Sequence, residues 1–160
     1  MTPPPASVLK ITSILWVVWG IVHAFFGVAV LSFDASDGFA AIAAGVDADA
    51  VDADYHPAVG AILNQHGWNL LWFGLVTTLG GAMIWKGSRT AIWVCAMVAG
   101  LADLGYLIFV DFGGYGTFVP GTLMTIIAGS AILLGGWILL SERTVPTAAA
   151  ADRSTQRRPR

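Results

Sequence analysis

Two histidines, one aspartate and a few amide and hydroxyl side chains stand inside stretches that are otherwise apolar, and they are the residues able to do chemistry. Asn64-Gln65-His66-Gly67-Trp68-Asn69 puts four hydrogen-bonding side chains within six positions at the head of one such stretch. His23 lies near the middle of another, Asp103 and Tyr106 share a third, and Thr125 sits in a fourth. In hydrocarbon such groups are rare, face the protein interior and mark function by default. A carboxyl and an imidazole sharing a low-dielectric site either ionise as a pair or settle neutral, and in both cases the site can exchange a proton.

Three kinds of chemistry suit this set. Asp103 with His23 or His66 could act as an acid–base pair on an apolar substrate, with Gln65 and Asn69 orienting a carbonyl or hydroxyl. The same residues could relay protons for transport. His23 and His66 with Asp103 could ligate a divalent metal, which two imidazoles and a carboxylate suit. No cofactor is expected: the haem attachment motif Cys-x-x-Cys-His is absent, and the single Cys95 reads as a small buried hydrophobe. Against these stands a structural role, in which Asp103 fastens helices by hydrogen bonds.

The elements that must position these residues are membrane spans. The chain is 56% hydrophobic and 11% charged, with a mean hydropathy of +0.73, against about 25% charged for an ordinary soluble domain. At 160 residues it has room for one domain. Ile11 to Phe33 runs 23 residues without a charge, and a span needs about 20. Its length exceeds the roughly 7–15 apolar residues of a secretory signal, so it reads as a retained first helix. The second helix is expected over 59–85, the third over 90–110 and the fourth over 118–140. Residues 1–10, with Pro3-Pro4-Pro5, read as a tail, and residues 141–160 as a disordered basic tail.

Residues 34–58 hold Asp34, Asp37, Asp47, Asp49, Asp52 and Asp54 with no lysine or arginine. They read as a solvated acidic loop, because the glycine and glutamate of a calcium-binding EF-hand loop are missing. Within it Phe39 to Ala44 suits a short interfacial helix. All eight basic residues, Lys10, Lys86, Arg89, Arg143, Arg153, Arg157, Arg158 and Arg160, fall on one side of a four-span chain. That places both termini in the cytoplasm of a multi-pass plasma-membrane protein. The tail arginines signal orientation and suit contact with anionic lipid. Trp16, Trp85, Trp93 and Trp137 fall toward the inner ends, and Phe33, Phe109, Phe112, Tyr115 and Phe118 toward the outer, as interfacial aromatics.

Lipid solvates leucine as well as a neighbouring helix does, so close backbone approach must drive assembly. Small residues at four-residue spacing mark the faces: Gly20 and Ala24; Ala91, Cys95 and Ala99; Gly121, Thr125 and Gly129. Gly67, Gly74, Gly80 and Gly81 serve the second helix. At 1.5 Å per residue, His23 is roughly 15 Å from the outer end of its span and His66, Asp103 and Thr125 roughly 10 Å. One cluster of His23, Gln65, His66, Asn69, Asp103, Tyr106 and Thr125 in the outer half is the economical arrangement. Asp54, His56 and Asp111 could form its mouth, although solvated loop positions are the simpler assignment.

Trp19-Gly20-Ile21-Val22-His23 with Gly27, and His66-Gly67-Trp68-Asn69 with Trp72-Phe73-Gly74, resemble a pattern in small uncharacterised bacterial four-span integral membrane proteins, over most of residues 11–140. The resemblance implies the four-span fold and no reaction. The chain is similar, more loosely, to the DoxX-like group and the emopamil-binding-like isomerases, four-span families with a lipid-facing pocket. No residue set carries over from either. The expectation is therefore an all-α antiparallel four-helix transmembrane bundle. Its outer polar cluster would bind a small apolar or amphipathic ligand or stabilise a homo-oligomer or larger membrane complex, with the bilayer and no nucleic acid as its surroundings.

Overall fold

A computed structural model of the protein describes residues 6–143. Its helices are α1 (Ala6–Ser32), α2 (Ala35–Ile42), α3 (Ala48–Val51), α4 (Pro57–Trp85), α5 (Arg89–Tyr106) and α6 (Leu123–Arg143), with no strand among the described residues. Two π-helical segments, Leu107–Asp111 and Phe118–Thr122, extend α5 and precede α6. Four stretches are long and apolar enough to cross a membrane: Ala6–Ser32, Pro57–Trp85, Arg89–Asp111 and Phe118–Ser141. Only 22–33% of the most apolar window of each is buried within the protein, so most of every span is left for lipid.

α1 begins at Ala6, five residues before the expected start, since nothing after Pro5 opposes a helix. The fourth span begins less regularly than expected. Val119 is extended (φ −119°, ψ 126°) because Pro120 crowds the α conformation of the residue before it, and regular α-helix starts only at Leu123. α6 runs on through Arg143, past the expected end at 140; the rest of the basic tail, residues 144–160, lies outside the described residues.

Two aspartates of the acidic loop cap its short helices. Asp34 Oδ1 accepts from Asp37 N at 2.9 Å at the start of α2, and Asp47 Oδ1 from Asp49 N at 3.1 Å at the start of α3. Each satisfies a backbone donor that the helix itself cannot. The expected helix over 39–44 is thus α2, begun earlier by its cap. His56 caps α4 through Nδ1, 3.2 Å from Ala58 N, with Pro57 in the first turn. At the other end, Gly87 adopts φ +90° in the turn that sends α5 back beside α4, and Ser88 caps α5 by accepting from Ala91 N at 3.3 Å.

α1 and α4 form the most intimate pair. Gly20 lies opposite Gly74, and Gly27 opposite Gly67. A Cβ on Gly74 would strike the Ala24 amide nitrogen and the Gly20 carbonyl oxygen; one on Gly81 would lie 3.0 Å from the Ser13 carbonyl oxygen. Ser13 Oγ donates to the Gly81 carbonyl at 2.6 Å. The seam therefore recurs every seven residues, Ser13-Gly20-Gly27 against Gly81-Gly74-Gly67, rather than every four. Seven residues are close to two turns of helix, so a seven-residue repeat keeps the same face toward an antiparallel neighbour along the whole span.

On α5 the expected face holds: Ala91, Cys95 and Ala99 are buried, with Gly80 against Cys95 Sγ. On α6 it does not. Gly129 has open space beside it, whereas Met124, Ala128, Ala131 and Ile138 are buried and Gly135 packs toward Ile92. Small residues mark a contact only where a neighbour's backbone comes close, and α6 meets side chains instead. Trp16 is likewise core rather than interfacial, at 0% exposure, while Trp85, Trp93 and Trp137 are exposed. Lys10 Nζ stands 5.3 Å from the Trp85 ring centroid, bringing the start of α1 and the end of α4 to one end of the bundle.

Gly74→Ala should lower the stability of the folded chain in detergent by about 1–3 kcal/mol, the usual cost of overpacking. Gly129→Ala, with nothing in the way, should leave it unchanged, and denaturant titration followed by circular dichroism separates the two.

Candidate functional site

Asp103 is 5% exposed and is held from α1. Trp19 Nε1 donates to Asp103 Oδ2 at 2.7 Å, a span-to-span bond in which the buried indole N–H and carboxyl satisfy one another. His23, one turn further along α1, stacks on Trp19 with ring centroids 3.6 Å apart and planes within 15°. Its Nδ1 lies 2.9 Å from the Trp19 carbonyl oxygen. A carbonyl oxygen only accepts, so this contact puts the proton of the neutral ring on Nδ1 and leaves a lone pair on Nε2. That Nε2 is 3.8 Å from Asp103 Oδ1, beyond the reach of a direct hydrogen bond.

These groups open onto a cavity of about 360 Å³. Its polar positions are His23, His66, Asn69, Asp103, Tyr106 and Thr117, and its walls are mainly apolar, including Val22, Phe26, Leu70, Phe73 and Met124. Ala41, Ile42 and Ala44, from α2 and the loop after it, also line it. That segment is tied down where Gly45 N donates to the Tyr115 carbonyl at 2.8 Å, joining the acidic loop to the loop between α5 and α6. Asn69 Oδ1 accepts from Trp72 Nε1 at 3.2 Å. An indole only donates, so the amide oxygen is committed and the NH₂ group is left for another partner.

The residues singled out from sequence separate into two groups. His23 and Asp103 meet within ion-pair distance, and His66, Asn69 and Tyr106 line the same cavity. Gln65 is exposed on α4, and Thr125 does not line the cavity; its Oγ1 is buried without a hydrogen-bond partner. Of the residues considered for a mouth, His56 caps α4, Asp54 is exposed, and Asp111 Oδ1 accepts from Thr122 Oγ1 at 3.0 Å. Among the described residues no group of three or more His, Cys, Asp or Glu is placed to hold a metal ion. Sequence reasoning missed Trp19 as the partner of Asp103. A signal for it exists, because Trp19 and His23 are four apart and share a helix face.

The cavity lies where α5 leaves regular geometry. Tyr106 is the last residue before the π-helical Leu107–Asp111, and its hydroxyl lies against Gly116 and Gly121, so that any side chain at Gly121 would strike it. π-Helical turns of this kind recur at functional sites.

Fold and site together define an all-α membrane protein of four long apolar helices with a mainly apolar cavity that carries a few polar groups. Comparison with family models, curated proteins and solved structures finds no match for this chain.

Trp19→Phe and Asp103→Ala should be coupled. A double-mutant cycle on stability in lipid nanodiscs should give an interaction of about 0.6–1.7 kcal/mol, the range for hydrogen bonds between membrane helices. Strict additivity would show that the bond contributes nothing to the fold.

Proposed function

We propose that the protein is a multi-pass plasma-membrane protein that binds a small apolar or amphipathic ligand in the cavity between α1, α4 and α5. One observation carries this reading: a cavity of about 360 Å³ with mainly apolar walls and a few convergent polar groups. Ligand sites have that size and character, roughly 300–1,000 Å³ with a small number of placed polar groups. A purely structural cluster would use its hydrogen bonds internally. Trp19, Asp103 and one edge of His23 do so, but the His66 ring, the Asn69 amide NH₂ and the Tyr106 hydroxyl have no hydrogen-bond partner among the described residues.

The His23–Asp103 pair supports a second reading as a membrane enzyme or proton-linked carrier. Nε2 and Oδ1 face one another across a gap, and a reacting hydroxyl between them could give its proton to the Nε2 lone pair. Binding is common to both readings and is the part to be tested first.

His66→Ala and Asn69→Ala should fold and span the membrane as the parent does, yet lose a small-molecule adduct that the parent retains through purification, as read by native mass spectrometry. Variants that lose folding and adduct together would return the cluster to a structural role. The proposal includes cytoplasmic termini, which the one-sided distribution of basic residues supports. With Cys95→Ala as background, Asp49→Cys in intact cells should therefore react with an impermeant maleimide, while Ser88→Cys should react only after the cells are opened.

A further inference from the structure

Building on the ligand-binding reading, we infer that the ligand is an uncharged long-chain alcohol. Its hydroxyl sits between His23 Nε2 and Asp103 Oδ1, and its chain passes Ile42 and Val110 into a second, apolar cavity.

The head group follows from the valences that the protein leaves open. His23 Nε2 offers a lone pair, because Nδ1 is committed to the Trp19 carbonyl. Asp103 Oδ1 is open, because Oδ2 is committed to the Trp19 indole. The Asn69 NH₂, from α4, and the Tyr106 hydroxyl, from α5, supply donors within the same cavity. The cavity thus presents acceptors and donors together. An ammonium head only donates and would leave the donors unpaired; a carboxylate or phosphate only accepts and would face the acceptors. A hydroxyl does both.

Charge and distance agree with this. No lysine or arginine lines the cavity while Asp103 does, so an anionic head would be buried without compensation. The 3.8 Å separation of Nε2 and Oδ1 is too long for those atoms to bond directly. It suits a hydroxyl oxygen placed about 2.8 Å from each, which donates its one proton to Nε2 and accepts from Asp103, the carboxyl being neutral with its proton on Oδ1 because no cation lines the cavity.

The tail follows from what adjoins the head. A second cavity of about 410 Å³ lies beneath α2 and α3, walled by Phe39, Val46, Val51 and Leu63, and presents only apolar surface. Ile42 and Val110 line both cavities. These two branched side chains are therefore common to the chamber that holds the polar groups and to the wholly apolar one. An alkyl chain attached to a head in the first chamber reaches the second by passing between them.

The test uses the full chain in phosphatidylcholine nanodiscs and a dodecyl alcohol carrying a diazirine near its far end. Adducts are mapped by mass spectrometry and competed with dodecan-1-ol, dodecylamine, dodecanoic acid or dodecyl phosphate. The expected result is labelling of the second cavity, at Phe39 to Val51 or at Leu63, with dodecan-1-ol competing about tenfold better than the other three, the worth of one hydrogen bond. His23→Phe keeps a ring on Trp19 and should erase that preference; should it fail to fold, His23→Gln takes its place. Equal competition by all four compounds, with labelling still in the cavity, would overturn the head group and leave the binding reading intact. A preference for the amine or for either anion would overturn it too. Labelling confined to lipid-facing positions such as Phe25 and Leu133 would remove both the alcohol and the binding site.

Discussion

The structure depends on how closely α1 and α4 can approach in a solvent that does nothing to push them together. Lipid gives two apolar helices no hydrophobic reason to associate, so contact must come from backbone packing, which needs small residues wherever the axes are nearest. Ser13, Gly20 and Gly27 meet Gly81, Gly74 and Gly67, and at each crossing an added methyl group would meet the partner's backbone. Close approach also fixes register. With Gly27 against Gly67 and Gly20 against Gly74, His23 falls at the depth of Asn69 to Leu71, and residues forty-odd positions apart in sequence line one chamber.

α5 joins that pair by other means. Cys95 and Ala99 let it pack closely in its first half, while at the depth of the cavity the link is Trp19 to Asp103. A carboxyl in a membrane span is costly without a partner, and the indole N–H supplies one from inside the protein. Trp19 does two jobs at once, since its edge bonds Asp103 and its face supports the His23 ring. The aromatic thereby sets the orientation of both titratable groups.

Much of this is legible in the amino-acid sequence. The four spans follow from uninterrupted apolar runs, and the antiparallel turn at Lys86 to Ser88 from its length and charge. The convergence of His23, His66, Asn69, Asp103 and Tyr106 on one cavity follows from depth arithmetic and the expense of exposing them to lipid. What the residues do not reveal by themselves depends on contacts between spans. Which glycine of α1 meets which of α4 is a property of the two helices together, although the seven-residue spacing of Gly20 and Gly27 and of Gly67, Gly74 and Gly81 stands in the sequence itself. Thr125 and Gly129 share the spacing of a contact face, but the packing of α6 follows larger side chains, Met124 and Ile138 among them. Gln65 belongs to the polar run at the head of α4, yet the rotation that carries His66 and Asn69 inward leaves it exposed. Only the partner helix determines that rotation.

The π-wound segments that follow α5 and precede α6 give the chamber two unlike sides. The α1–α4 side is built from backbone against backbone and has no slack in it. The opposite side is built from Leu107–Asp111 and Phe118–Thr122, where the regular ladder is interrupted and the chain is joined to the acidic loop through the Gly45–Tyr115 bond. The chamber is in that sense asymmetric: one wall, which bears both histidines, is seamed backbone to backbone, and the other is irregular and continuous with the acidic loop.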